Sequence, residues 1–168
     1  AGKVALITGA AGGIGSATAK KFLQEGCCVI LTDIDKSALK IKHDEFSKEF
    51  GKDVVHSIIM DVTDEKDVKN AVSESINFFG GIDILVANAG FASAALFEKT
   101  STKLWDKNMD ILSKGCFLIS REVYQNMMHQ NNGGSIIFVS SKNSLNASKG
   151  ASAYSVAKSS LLHLSRSI

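Results

Sequence analysis

The sequence has 168 residues, of which 45% are hydrophobic and 21% are charged, and its formal net charge is +2. The length suits one domain, and the composition is that of an ordinary globular protein. Basic and acidic residues are interspersed along the sequence. The sequence therefore contains no basic cluster that would predict binding to nucleic acid or to an anionic membrane. The longest apolar runs are strand-sized and too short to cross a bilayer.

The cysteines and histidines point to no metal or disulfide chemistry. Cys27, Cys28 and Cys116 form no CxxC pair, and the four histidines lack metal-ligand spacing. The first residues, AGKVALIT, lack the pattern of a signal peptide. The sequence therefore predicts a cytoplasmic protein without a metal site and without a disulfide framework.

Strand-like and helix-like segments alternate along the chain. Short apolar runs predict strands at 3–8, 28–32, 54–60, 82–88 and 133–141. Helical spacing predicts helices at 14–25, 36–50 and 64–79, a short helix followed by a long one across 101–130, and a last helix from 152 onward. Strands buried on both faces and separated by helices predict a parallel sheet with right-handed crossovers. The expected fold is α/β, a Rossmann-type doubly wound sheet with strand order 3-2-1-4-5.

Ligands of open α/β sheets bind beyond the carboxyl ends of the strands, so the residues that follow each strand are the candidate site. The stretch TGAAGGIG follows the first strand and opens the first helix. Its residues Gly9, Gly12, Gly13, Ile14 and Gly15 predict a loop whose backbone approaches a pyrophosphate and presents N–H groups at a helix N-terminus. The glycines are spaced G-x-x-x-G-x-G rather than G-x-G-x-x-G, and the alternative is a turn that merely needs glycine.

Acidic residues end the second and third strands. Asp33 is predicted to accept hydrogen bonds from an adenosine ribose diol and to repel a 2′-phosphate. No Lys or Arg within 9–15 would neutralise that phosphate, so the sequence favours NAD over NADP. Asp35 is a second candidate for the diol. Asp61 is placed to meet an adenine amino group, and Asp64 is expected to cap the next helix.

The fourth strand and the last helix carry two further motifs. The strand ends in ANAG, where Asn88, Ala89 and Gly90 would let a cofactor lie against the backbone. Asn88 has the alternative role of tying neighbouring strand ends together. Tyr154 and Lys158 share one face of a helix, a pairing that says little by itself.

Taken in order, these motifs resemble the short-chain dehydrogenase/reductase family from about residue 2 to the end. The motifs are the glycine loop, Asp33, Asp61 with Val62, NAG at 88–90, a serine after the fifth strand, and Y-x-x-x-K. The resemblance implies NAD as cofactor and Tyr154 as catalytic acid/base. Lys158 would bind the nicotinamide ribose and stabilise the phenolate of Tyr154. Ser141, thirteen residues before the tyrosine, would hold the substrate oxygen, with Ser140 as the alternative.

Two departures from the family pattern stand out. Leu112 takes the place of an asparagine, three residues before Gly115, that is thought to hold a water linking the lysine to a proton relay. Asn108, a turn earlier, is a candidate substitute. Family members are also longer, so the chain is expected to be a single NAD(P)-binding domain over 1–168, truncated at its C-terminus, with the C-terminal strands missing.

The stretches WDKNMDILSKGCFLISRE and VSSKNSL resemble a narrower group, the dehydrogenase parts of bifunctional rhamnulose-1-phosphate aldolase/alcohol dehydrogenases. The resemblance implies a small alcohol, aldehyde or sugar-derived substrate, lactaldehyde in that group. It also implies a homo-oligomer, a dimer or tetramer, in the full-length form. The alternative is a dinucleotide-binding module of a larger fusion with little or no catalysis, which Leu112 favours.

Overall fold

The computed structural model describes residues 2–168. Five strands form one parallel sheet: β1 (Val4–Thr8), β2 (Cys28–Asp33), β3 (Val55–Ile59), β4 (Ile84–Ala87) and β5 (Ser135–Phe138). Their order in the sheet is β3-β2-β1-β4-β5, and every pairing is parallel. The predicted fold class and strand order are confirmed. The fifth strand is shorter than the predicted 133–141.

Helices connect the strands. They are α1 (Gly13–Gln24), α2 (Lys36–Phe50), α3 (Glu65–Phe79), α4 (Thr102–Asn108), α5 (Gly115–Gln130) and α6 (Ser152–Ser167). A π-helical turn, Met109–Lys114, joins α4 to α5, so the predicted short and long helices run on without a loop. No helix within residues 2–168 has both the length and the apolar character needed to cross a bilayer.

The helices cover both faces of the sheet, which is why the central strands β1, β2 and β4 are mainly apolar and buried. On one face, Ala19 and Leu23 of α1 and Leu39 and Phe46 of α2 are buried in a cluster with residues of β1 and β2. On the other face, a second cluster joins side chains of α3, α5 and α6 to the sheet. The two clusters leave the carboxyl ends of the strands uncovered between them, and the candidate site lies there.

Side-chain caps start three of the connecting helices, with Ser101 beginning α4 and aspartates beginning the other two. The Asp35 carboxylate accepts hydrogen bonds from the N–H groups of Ser37 and Ala38 and so begins α2. Asp64 accepts from the N–H groups of Lys66 and Asp67 and begins α3, as its position in the sequence predicts. Capping α2 accounts for an aspartate at position 35. Of the two acidic residues at this strand end, only Asp33 lines the site.

Candidate active site

A cleft of about 630 Å³ runs across the carboxyl ends of the strands. It brings together all but one of the residues that the sequence predicts for the site: Gly9, Gly12, Gly13, Ile14, Gly15, Asp33, Asp61, Val62, Asn88, Ala89, Gly90, Tyr154 and Lys158. Ser141 is the exception, and its neighbour Ser140 lines the cleft in its place. Residues far apart in sequence therefore meet in one concave surface, as expected for a ligand site.

The glycine loop is packed too tightly for a side chain at two of its positions, Gly9 and Gly15. Gly9 has φ 64°, and a Cβ added to it would lie 2.9 Å from the Cα of Ala89. A Cβ on Gly15 would overlap the carbonyl oxygen of Gly9 and lie 2.9 Å from the Cα of Ala10. At the start of α1, Gly12 offers no side-chain acceptor to the first N–H groups. The loop thus leaves donors and space at a helix N-terminus, which fits a phosphate group.

Asp33 is held by the backbone on both of its oxygens. Its Oδ2 accepts a hydrogen bond from the N–H of Ala11 at 3.0 Å, and its Oδ1 accepts one from the N–H of Asp35 at 3.0 Å. The first bond ties the end of β2 to the glycine loop. Each carboxylate oxygen has a further lone pair, so a fixed Asp33 can still accept hydrogen bonds from a diol in the cleft.

Asp61 is held in a similar way after β3. Its Oδ1 accepts hydrogen bonds from both the N–H and the hydroxyl of Thr63, each at 2.8 Å. The neighbouring Val62 packs against α5, where a Cβ on Gly115 would lie 2.8 Å from Val62 Cγ2. Gly115 therefore allows the helix to support this wall of the cleft.

The ends of β1 and β4 are joined by Asn88 and Thr8. The Asn88 side-chain amide donates hydrogen bonds to the carbonyl oxygens of Thr8 and Gly9, at 2.9 and 3.2 Å. The Thr8 hydroxyl accepts from the backbone N–H groups of Asn88 and Ala89 at 3.0 and 2.9 Å. Asn88 therefore has the tying role that the sequence left as an alternative. The sequence did not predict this role for Thr8. The pattern that could have indicated it is a polar residue that ends an apolar strand directly before a glycine.

Lys158 is a buried cation with one protein partner for its ammonium group. The residue is only 6% exposed, and Nζ donates a hydrogen bond to the carbonyl oxygen of Val139 at 2.6 Å. Burial lowers the pKa of Lys158, while the nearby Cys116 thiol acts in the opposite direction. The pKa of Cys116 itself is raised to about 11, mainly by burial. An ammonium carries three donors, so two remain for the cleft or for water.

The two serines after β5 use their hydroxyls differently. Ser140 donates its O–H to the carbonyl oxygen of Lys158 at 3.2 Å, which joins this strand end to α6. Ser141 instead begins a short 3₁₀ turn, and its oxygen accepts the N–H of Asn143 at 3.2 Å. A hydroxyl has a single donor. The Ser140 proton is therefore engaged, whereas within residues 2–168 the Ser141 hydroxyl donates no hydrogen bond.

The π-helical turn carries Leu112, which is fully buried. A Cβ on Gly90 would lie 2.8 Å from Leu112 Cδ2 and 3.9 Å from Lys158 Nζ, so the leucine packs beside the lysine. Asn108 is also buried, but its amide nitrogen donates to the carbonyl of Leu104 and its oxygen accepts from Ser93. Those bonds engage both ends of the Asn108 amide, and they anchor the segment after β4 rather than Lys158.

The cleft is also lined by residues that the sequence did not predict, among them Phe91, Lys107 and Ile111. Phe91 directly follows the ANAG motif, and Lys107 of α4 places its Nζ 4.8 Å from the centre of the Phe91 ring. Lys107 and Ile111 both line the cleft and are four residues apart on a helical segment, so they share one face. The sequence offered that spacing as a signal, but only the position of α4 shows that this face meets the cleft.

Comparison with known proteins identifies the family to which the chain belongs. The profile described as short chain dehydrogenase matches residues 3–168. The chain belongs to the short-chain dehydrogenase family. Members of this family are oxidoreductases that bind a nicotinamide cofactor. The residues of the cleft thus lie in a domain of a family that binds a nicotinamide cofactor.

Two relatives illustrate the range of similarity within the family. The oxidoreductase YuxG of Bacillus subtilis (strain 168) is 48% identical over 166 residues, which cover 99% of this chain and 24% of YuxG. The 3-oxoacyl-[acyl-carrier-protein] reductase FabG of Thermotoga maritima is 37% identical over 165 residues, which cover 98% of this chain and 66% of FabG. The chain thus spans about a quarter of YuxG and about two thirds of FabG.

Solved structures of the family superpose closely on this one. Sorbitol-6-phosphate 2-dehydrogenase SrlD from Erwinia amylovora gives a TM-score of 0.94 at 29% identity, covering 97% of this chain and 64% of that one. A short-chain dehydrogenase/reductase from Burkholderia phymatum in complex with NAD gives a TM-score of 0.94 at 25% identity, covering 98% and 58%. The sheet and its helices are therefore those of the family.

Proposed function

We propose that the chain is the nucleotide-binding and catalytic region of an NAD-dependent oxidoreductase that acts on a small alcohol, aldehyde or sugar-derived substrate, with Tyr154 as acid/base. The observation that carries the proposal is the buried ammonium of Lys158. It lines the same cleft as Tyr154 and the glycine loop, with its Nζ bonded to Val139. Burying a charged lysine costs free energy. Buried ionisable groups in clefts cluster at functional sites, so the position of Lys158 points to a function.

The cleft residues divide the cofactor among them in this proposal. The free N–H groups at the start of α1 would hold the pyrophosphate, and Asp33 would accept hydrogen bonds from the adenosine ribose. Asp61 and Val62 would border the adenine. The two remaining donors of Lys158 would hold the second ribose. When bound, the nicotinamide supplies two-electron chemistry, accepting hydride from an alcohol carbon or donating it to a carbonyl carbon.

Tyr154 would move the proton. In alcohol oxidation its phenolate takes the hydroxyl proton of the substrate, and in carbonyl reduction its hydroxyl returns it. A cation about 4 Å from a phenolate contributes about 4 kcal/mol at an effective dielectric constant of about 20, so Lys158 is a sufficient source of stabilisation for that phenolate. Ser141 would donate its free O–H to the substrate oxygen, because the hydroxyl of Ser140 is engaged by Lys158.

The preference for NAD rests on charge. Asp33 is fixed in the cleft by Ala11 and Asp35, so it cannot swing away from a 2′-phosphate. No basic residue lies within 9–15 to offset the repulsion. The Burkholderia phymatum relative was solved with NAD. These points together favour NAD over NADP.

A sugar-derived substrate is favoured by two comparisons. The SrlD relative is a sorbitol-6-phosphate dehydrogenase by name. YuxG is much longer than the region it shares with this chain, as a dehydrogenase fused to a second enzyme would be. We extend the proposal to the dehydrogenase part of an aldolase/dehydrogenase fusion acting on lactaldehyde. Assay of the intact protein against lactaldehyde and a matched panel of short aldehydes tests this extension.

Helix α5 offers a surface for self-association. Phe117, Tyr124 and Met128 are exposed large side chains at spacings of seven and four residues, so they share one face of the helix. An exposed apolar stripe of this kind marks an interaction site. A homo-oligomer of the intact protein, a dimer or tetramer, would bury it, and Tyr124→Glu should lower the molar mass seen by light scattering.

The decisive experiment replaces Tyr154 by Phe in the intact protein. Turnover should fall by a factor of about 10² to 10⁴, because the proton-transfer group is lost. The affinity for NAD, measured by calorimetry, should stay the same. Tyr124→Phe is the matched control, since it removes the chain's other tyrosine hydroxyl from an exposed helix face. Equal turnover in wild type and Tyr154→Phe would overturn the acid/base role.

The same measurements separate a second candidate function, a dinucleotide-binding module with little catalysis. Leu112 favours this candidate, because its apolar side chain packs beside Lys158 where a proton relay would need a polar group. NAD binding without turnover on any aldehyde or alcohol of the panel would decide for the module. Turnover that depends on Tyr154 would exclude it.

A further inference from the structure

A cation and an aromatic ring sit together on the cleft without a role in the scheme above. Lys107 and Phe91 both line the cleft, and Lys107 Nζ lies 4.8 Å from the centre of the Phe91 ring. At that distance the ring attracts the ammonium and limits the freedom of a long side chain. The contact therefore favours arrangements in which the Lys107 ammonium lies beside the Phe91 ring.

The charges of the cleft single out Lys107. The described lining residues include two carboxylates, Asp33 and Asp61, and two cations, Lys107 and Lys158. Lys158 is buried and bonded to Val139. Lys107 is exposed, and none of the ion pairs within residues 2–168 engages it. Of these two cations, Lys107 is therefore the one that an incoming anion meets from solvent.

The position of the pair in the sheet indicates which anion this is. Phe91 follows Gly90 just past the end of β4, and β4 pairs with β1, from which the glycine loop leaves. The pair thus lies over the middle of the sheet, between the carboxylates after β2 and β3 on one side and Tyr154 on the other. A dinucleotide that spans these two sides has its phosphates between them.

We propose that Lys107, directed by Phe91, is a phosphate-binding residue that pairs with the pyrophosphate of the dinucleotide. This inference rests on the proposed function. The glycine loop supplies neutral N–H donors, and Lys107 supplies the positive charge that a pyrophosphate otherwise lacks there. The pairing raises affinity and makes binding dependent on salt, since exposed charge pairs are screened.

Calorimetric titration of the intact protein tests the proposal with two probes, ADP-ribose, which carries the pyrophosphate, and adenosine, which does not. Lys107→Gln should weaken ADP-ribose binding about three- to tenfold at low salt, as expected for one lost charge-assisted contact. Adenosine binding should be unchanged. Lys107→Arg should retain most of the ADP-ribose affinity, because the charge is kept. The affinity of Lys107→Gln should also change less steeply with salt than that of the wild type.

Lys103→Gln is the matched control, because Lys103 is an exposed lysine one turn earlier on α4 that does not line the cleft. It should bind ADP-ribose like the wild type. Equal ADP-ribose affinity in Lys107→Gln and wild type overturns the proposal, and so does an equal loss for adenosine, which would mean that Lys107 only supports the local structure. A wild-type protein that binds neither probe would overturn the nucleotide function itself, a result distinct from both.

Discussion

On the side of β2 and β3, the cleft carries carboxylates that the protein holds with two hydrogen bonds each, whereas on the side of β4, β5 and α6 it carries an ammonium group with one protein partner. Asp61 is bonded by Thr63, and Asp33 by Asp35 and the glycine loop. Lys158, in contrast, donates one hydrogen bond, to the carbonyl oxygen of Val139, and keeps two donors. The first side presents acceptors that the protein fixes in position, and the second keeps free donors for chemistry.

The two sides also differ in how rigidly they are packed. Around the glycine loop, the atoms nearest to an added Cβ belong mostly to backbone, which cannot yield. Beside Gly90 the nearest atom is the end of the Leu112 side chain. We infer that the glycine loop tolerates no added atom at Gly9 or Gly15, while the packing beside Gly90 and Lys158 can adjust.

The largest effect should come from Gly15→Ala. The new Cβ would overlap the carbonyl oxygen of Gly9 and press on the Cα of Ala10. We expect a loss of about 3 kcal/mol in the free energy of unfolding, with loss of nucleotide binding, because overpacking against backbone forces the loop to move. Chemical denaturation and calorimetry measure the two effects.

Gly13→Ala serves as the control for stability. Nothing lies within 4 Å of a Cβ at Gly13, and the residue is in the same helix. Alanine there should leave the free energy of unfolding unchanged or raise it by up to about 1 kcal/mol, from its better helix propensity. Similar losses in both variants would contradict the steric account.

Asp33→Ser should change cofactor preference. Removing the fixed carboxylate removes its repulsion of a 2′-phosphate, so the ratio of NADP to NAD affinity should rise about 10- to 100-fold. Asp35→Ser is the matched control: serine can also cap α2, and Asp35 does not line the cleft. A ratio that shifts equally in both variants would show that the charge at Asp33 is not the selector.

Lys158→Met should alter the pH dependence of stability. Burial lowers the pKa of Lys158 from 10.5, so between the lowered pKa and 10.5 the unfolded chain binds more protons than the folded one. The wild type should therefore gain stability relative to Lys158→Met as the pH rises from 7 towards 10.5. Urea unfolding at several pH values measures the difference. The control Lys103→Met replaces an exposed lysine, so the difference in stability between it and the wild type should change less with pH. A difference between the wild type and Lys158→Met that does not change with pH would refute the burial argument.

Gly90→Ala should have the smallest effect. Its Cβ meets the end of Leu112 at 2.8 Å, and a methyl group can turn away. A loss of about 1 kcal/mol or less is expected. In a Leu112→Val background the same change should cost less still, which a double-mutant cycle would reveal as coupling between the two residues. A loss as large as that of Gly15→Ala would erase the contrast between the two sides.

Much of the fold was predictable because local patterns carry it. Apolar strands alternating with helices predict the parallel sheet, and its order is confirmed. The end of β5 was predicted less well. The sequence pattern predicts a strand through 141, yet β5 ends at Phe138. The carbonyl oxygen of Val139 accepts a hydrogen bond from the ammonium of Lys158. Lys158 belongs to α6, so the pattern of residues within 133–141 could not reveal this hydrogen bond.

By itself, the sequence determined the motifs that act through short-range geometry: the glycine loop, the acidic strand ends, the helix caps, and a tyrosine and lysine on one helical face. Only the tertiary structure decided how distant groups are used. It engaged the hydroxyl of Ser140 and left that of Ser141 free, bound the amide of Asn108 away from Lys158, and set Lys107 over Phe91 at the cleft. The physical reason is that hydrogen bonds and burial depend on which elements pack together, and residue spacing along one segment does not contain that information.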